Sequence, residues 1–231
     1  MRFEEIGKGR LGTVLVKSHA SRGTPIVRTT TKYAQPPGRF RAVHEALAES
    51  IKTTASLRHN FNNALIEIYD NEYRKMGAHS DQALDLVSDS SIAVFSCYEH
   101  PNQSRSRRKL IIESKDSEER FEVPLAHNGV VTFSVHANRR YKHRIVLDAH
   151  DDSSENRWLG ITFRTSQTYV RASEGRALFE DGTELTLAHE DQRREFYALR
   201  GRENRETDFV YPRLGYTISA SDLLPPVADF H

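Results

Sequence analysis

A single cysteine, Cys97, in 231 residues excludes an internal disulfide framework and fits a reducing compartment. It sits in the apolar run SIAVFSC and reads as a buried thiol without a catalytic role. Charge of one sign is also missing: 33 Lys and Arg against 32 Asp and Glu leave a formal charge of +1. No global basic field marks a nucleic-acid protein and no acidic excess marks a disordered one, so a charged partner must be met by a local patch. No stretch approaches the roughly 20 apolar residues of a membrane span. The opening MRFEEIGKGR has no apolar core of a secretion signal. A soluble, intracellular, cytoplasmic protein with no membrane partner is expected. Internal repeats and low-complexity tracts are lacking too.

The length suits one large domain or two small ones, and all-β folds often reach this size as one unit. A single domain over 1–231 is expected: an N-terminal segment with a packing helix (1–60), a catalytic core (61–170) and a C-terminal extension (171–231). In RFRAVHEALAESIKTTASL, Val43, Leu47 and Ile51, with Ala46 and Ala55, recur at helical spacing, which predicts a helix over about 41–57. NALIEIY, SIAVFSC, KLIIES, RFEVPL, GVVTFSVH, YKHRIVLD and WLGITFRTS follow, short and rich in β-branched and aromatic residues. These predict an α+β, mainly β fold, an antiparallel sandwich or jelly roll with flanking helices, and no βαβ units. ALFEDGTELTLA reads as a hairpin turning at Asp181 and Gly182, and EDQRREFYALRGREN as a charged helix packing through Phe196, Tyr197 and Leu199.

His-x-Asp occurs three times: His79 with Asp81, His150 with Asp152, and His189 with Asp191. The second lies in a polar loop and the third opens a charged helix with only His231 downstream, so both read as solvated. The first follows a strong strand, where alternation would place both side chains on one face. A later strand carries His143, and two imidazoles with one carboxylate form the facial triad of non-heme Fe(II) oxygenases. Such a site leaves positions open for a 2-oxo acid and dioxygen, and a buried cation must answer the acid's carboxylates. Arg164, in the apolar GITFRTS, is the candidate, with Ser166 two residues on. A salt bridge to an acidic side chain is the structural alternative for Arg164.

FNNALIEIYDNEYRKMGAHSDQ, SSIAVFS, RRYKHRI and GITFR resemble, in order and spacing, the motifs of the AlkB-like Fe(II)/2-oxoglutarate dioxygenases over about residues 25–166. The resemblance implies a double-stranded β-helix, iron on His79, Asp81 and His143, and 2-oxoglutarate held in part by Tyr69 and Arg164. It also implies hydroxylation of a substrate carbon with release of succinate and carbon dioxide; in better-known members that carbon is an N-methyl group on a nucleobase, which is then lost. Three positions depart from the pattern. Glu67 replaces an asparagine, Trp158 replaces a second arginine, and Gly160 stands where a polar contact is common. Arg157, beside Trp158, would substitute only through a bulge or a local shift. Trp158, Gln82 and Tyr33 are candidate substrate contacts, with Phe40 a second aromatic near the start.

Two basic runs, SRSRRK and RRYKHR, offer phosphate contacts or are simply polar turns. Alkylated nucleic acid is therefore one expected substrate class, and a small molecule or protein side chain the other. A non-enzymatic jelly-roll module is a third reading.

Overall fold

The computed structural model describes residues 2–102, 107–148 and 155–227. The chain opens with β1 (Glu4–Gly7), β2 (Arg10–Val16), β3 (Thr24–Pro25), β4 (Gly38–Arg39) and α1 (Ala42–Thr54). Its centre holds β5 (Asn63–Tyr69), β6 (Ser91–Tyr98), β7 (Arg107–Ser114), β8 (Arg120–Pro124), β9 (Gly129–Ser134), α2 (Val135–Arg140), β10 (Tyr141–Asp148) and β11 (Trp158–Arg164). The last part holds β12 (Tyr169–Ser173), β13 (Arg176–Phe179), β14 (Glu184–Leu187), α3 (Glu190–Glu203), β15 (Tyr216–Thr217) and a 3-10 turn (Ala220–Leu223). His150, Asp152, His231 and residues 104–106 of the first basic run lie outside the described residues.

The fold is mainly β, with antiparallel sheets and few helices among the described residues, consistent with a jelly roll. One sheet runs β1-β2-β5-β11-β6-β9, with β4 beside β2; a second runs β10-β7-β8. β11 inserts between β5 and β6, which precede it in the chain by almost the whole core, and pairs antiparallel with both. α2 carries the chain from the first sheet to the second. A third sheet, β15-β14-β13-β12-β3, joins the C-terminal extension to the N-terminal segment.

Several expectations change in detail. The alternation in NALIEIY suggested a half-buried strand, but β5 is buried at almost every position because β2 and β11 flank it and both faces are covered. α1 buries His44, Ala48 and Ile51, one step round from the expected stripe, and leaves Val43 65% exposed. GVVTFSVH is a strand only to Ser134, whose hydroxyl then caps α2 by accepting the Ala137 amide at 3.0 Å. α3 buries Phe196 but turns Tyr197 to solvent. The hairpin forms between β13 and β14, with Gly182 at φ +82°, where a side chain would be strained.

Candidate metal centre and its pocket

β5 delivers the chain to an extended segment that pairs with β10: the His79 and His143 backbones form a two-residue antiparallel bridge. That bridge sets the two imidazoles side by side, 4.7 Å between ring centres with their planes tilted by 51°, and Asp81 lies beside them. His79 Nε2 lies 3.8 Å and His143 Nε2 3.6 Å from Asp81 Oδ1. One donor atom from each residue falls within 4.8 Å of the others, close enough to converge on a single ion.

Surrounding groups orient each donor. His79 Nδ1 donates to the Gly77 carbonyl at 2.8 Å, which leaves the Nε2 lone pair towards Asp81 and His143. Burial first, then His143, lowers the His79 pKa below the ordinary imidazole value, favouring the neutral form that binds metals. For Asp81, burial raises the carboxyl pKa, but Arg164 and the two imidazoles outweigh it and hold the group well below the carboxylate range. Arg164 Nε and Nη2 both donate to Asp81 Oδ2, at 2.9 and 2.8 Å, leaving Oδ1 to face the histidines.

The backbone of this segment is clamped from far away in the chain. Asn138 accepts from the Asp81 amide and donates to the Asp81 carbonyl, each at 2.7 Å. From α3, Arg200 donates to the Ser80 carbonyl, Asn204 accepts the Ser80 amide at 3.0 Å, and Glu203 accepts the Ala83 amide at 2.8 Å. Nothing in the sequence pattern pointed to Asn138, Arg200, Glu203 or Asn204.

The pocket below the triad is lined by one face of the first sheet. Leu65, Glu67 and Tyr69 alternate along β5, and Trp158, Gly160, Thr162 and Arg164 along β11. Arg10 reaches in from β2, and Gln82 and Arg200 from above. Arg164 Nη1 is buried in this wall and has no hydrogen-bond partner among the described residues.

The sequence profile of the 2OG-Fe(II) oxygenase superfamily matches residues 11–164. The chain belongs to that superfamily. This family uses Fe(II) and 2-oxoglutarate, the cofactor and cosubstrate expected above, and the chain carries a His-Asp-His triad to go with them. Among solved structures, this oxygenase-family chain is similar to a Pseudomonas putida prolyl-4-hydroxylase at 18% identity and a TM-score of 0.34. That similarity covers 54% of this chain and 62% of the hydroxylase. No curated protein matches the chain.

The donor set suits Fe(II), since two imidazoles and a carboxylate leave positions open on the ion. The unpartnered Arg164 Nη1 suits a carboxylate oxygen of the oxo acid. Other expected contacts lie elsewhere. Ser166 follows the end of β11, where strand alternation no longer applies; its hydroxyl donates to the Ile26 carbonyl at 2.5 Å and accepts from the Thr168 amide. Arg157 points to the opposite face and pairs with Glu99 at 2.8 Å in solvent. Tyr33 is buried behind Glu67, its hydroxyl 3.3 Å from that carboxylate, and does not line the pocket. Phe40 packs on Phe163 in the core. Tyr69, Trp158 and Gln82 do line the pocket. Tyr69 donates its hydroxyl to Glu67 at 2.5 Å, and its ring packs 4.9 Å from the Trp158 ring. Gly160 makes room for that indole: a Cβ there would lie 2.0 Å from it.

Proposed function

We propose that this chain is an AlkB-like, Fe(II)- and 2-oxoglutarate-dependent oxygenase on a double-stranded β-helix, and that it hydroxylates a C–H bond of a small, largely apolar molecule. The observation that carries the chemistry is the convergence of His79, Asp81 and His143 above a pocket that ends in the unpartnered donor of Arg164. The order and spacing of the sequence motifs support the AlkB-like assignment. The three side chains would hold the iron, Arg164 would meet a carboxylate of the oxo acid, and Tyr69 would help to shape its seat. With 2-oxoglutarate and dioxygen, iron bound there supplies the oxidising power that inserts oxygen into a C–H bond and releases succinate and carbon dioxide.

Support for the substrate class comes from a second cavity, of about 410 Å³, that shares His143 and Leu110 with the metal pocket. Ile112, Phe121, Val123, Val131 and Phe133 make it predominantly apolar, and its volume suits a small-molecule ligand. The competing substrate, an N-methylated base in nucleic acid, needs phosphate-binding cations near this mouth. Around the second sheet, Lys109 pairs with Glu122 and Asp148, and Arg120 and Arg144 pair with Glu113. Arg108 of the first basic run is 2% exposed, and Arg139 and Arg140 of the second close the last turn of α2.

The test is an anaerobic titration of Fe(II)-loaded protein with 2-oxoglutarate, followed by the visible charge-transfer absorbance of the chelate. A band is expected, and its absence with iron bound overturns the chemistry. Val123→Trp, which fills the apolar cavity, should leave the band intact while abolishing substrate-stimulated succinate release. A methylated oligonucleotide that binds in a steeply salt-dependent way and stimulates succinate release would overturn the small-molecule assignment.

A further inference from the structure

On β11 the position six residues before Arg164 is Trp158, so the first sheet offers no second cation from that strand. Strand register supplies one elsewhere. Trp158 lies opposite Tyr69 on β5, and Tyr69 lies opposite Arg10 on β2, so the three form one row across the sheet. Directly opposed residues project to the same face, and all three line the metal pocket.

Arg10 is held for this task. Its guanidinium packs 5.7 Å from the Tyr69 ring centre and 5.6 Å from that of Tyr73, and its side chain is 17% exposed. Nη2 donates to Glu67 and reaches Thr31 Oγ1 at 3.5 Å. Nε is buried and has no partner, and neither has Trp158 Nε1 in the same row. With Arg164 Nη1 and Gln82 Nε2, four N–H donors without a partner among the described residues line one pocket. A buried donor without an acceptor is costly, so the pocket is built for a ligand that brings acceptor oxygens to both ends.

Glu67 does not spoil such a seat. Its carboxylate accepts from Arg10, from Tyr69 at 2.5 Å and from Tyr33 at 3.3 Å, so its charge is answered inside the frame. Asp81 is answered by Arg164 and Glu203 by Arg200 in the same manner. The fixed charges around the pocket thus fall into pairs, and a divalent metal with a dicarboxylate adds no net charge to them.

We propose that Arg10, with Trp158 Nε1 beside it, receives the distal carboxylate of the 2-oxo acid, so that the anchoring cation of this oxygenase stands on β2 and not on β11. This rests on the reading that a 2-oxo acid is held at the metal by its other end. Arg10 is therefore the residue that selects a dicarboxylic over a monocarboxylic oxo acid, and Arg164 serves both.

The experiment compares 2-oxoglutarate with 2-oxobutyrate, which lacks the distal carboxylate, by anaerobic titration of Fe(II)-loaded protein. The wild type should bind 2-oxoglutarate at least about tenfold more tightly, as expected for a charge-assisted contact. Arg10→Met should weaken 2-oxoglutarate about 10- to 100-fold and leave 2-oxobutyrate unchanged. Because Arg10→Met strands the Glu67 carboxylate, Arg10→Met/Glu67→Gln is measured beside it and should show the same selective loss. Equal weakening of both acids, no weakening of either, or a wild type that does not distinguish them overturns the proposal. If the wild type takes up neither acid with iron bound, the reading beneath it fails, and the proposal with it.

Discussion

Arg164 binds one oxygen of Asp81 with two donors, at 2.8 and 2.9 Å, and leaves the other oxygen to the two histidines. The salt bridge and the cosubstrate contact, alternatives at the level of sequence, are therefore compatible in one side chain. The guanidinium orients the Asp81 carboxylate with Nε and Nη2 and keeps Nη1 for the pocket.

Arg164→Ala should weaken 2-oxoglutarate and 2-oxobutyrate alike, by about tenfold or more, since the contact is to the shared end of both acids. The charge-transfer titration reads this directly. Selective loss of 2-oxoglutarate alone would place Arg164 at the distal end and contradict the assignment.

Asn138 and Asn204 act on the backbone of the extended segment that carries His79 and Asp81, holding it at Asp81 and at Ser80. Asn138→Ala and Asn204→Ala should each lower Fe(II) affinity by about tenfold, as outer supports of metal ligands do. Equilibrium dialysis against iron checks this, with circular dichroism reporting an unchanged fold. Unaltered affinity in both variants would mean that β10 alone sets the ligand geometry.

Arg108 should matter for stability and not for nucleic acid. It donates to the carbonyls of Tyr73 and Asp70 at 2.7 Å each and lies 5.1 Å from the Tyr69 ring centre. Burial lowers its pKa to about 10. Arg108→Met removes the donor to the Tyr73 carbonyl and leaves the Asp70 carbonyl only the Tyr73 amide at 3.2 Å, and should cost on the order of 2 kcal/mol in a denaturation curve. A variant of undiminished stability that loses oligonucleotide affinity would show that the basic run is a contact surface after all.

Asp222 gives a pH signature distant from the metal. Burial raises its pKa from 3.8 to about 7, helped by Asp85 and opposed by Thr217 and Arg28. Between those values the folded state keeps the proton and the unfolded state has lost it, so stability falls as pH rises through this window and levels off above about pH 7. The loss is on the order of a few kcal/mol, from about 1.4 kcal/mol per pKa unit. Asp222→Asn should remove the slope and raise the melting temperature more at about pH 8 than at about pH 5. The same slope in the variant would assign it to another group.

The strands, the charged helix and the hairpin were legible because each is written in local periodicity and turn chemistry, over windows of a few residues. The His79, Asp81 and His143 set was legible because a donor type is a property of the residue itself, and four motif blocks kept their order along the chain. Burial was less legible: β5 looked half-exposed until β2 and β11 closed on both sides of it.

What only the tertiary structure decided is which distant residues serve the site. Arg10 meets Glu67 across 57 positions, Asn138 meets Asp81 across 57, and Arg200 and Asn204 meet Ser80 across 120 and 124. No local pattern encodes such pairings, because each depends on how strands order themselves in a sheet and how α3 docks behind it. The same physics corrected Ser166 and Arg157: their facing follows from where β11 ends and which side of it is covered, and a spacing of two or seven residues from Arg164 carries neither fact. The sequence by itself determined the chemistry available to this protein; sheet order and register decided which side chains gather around it.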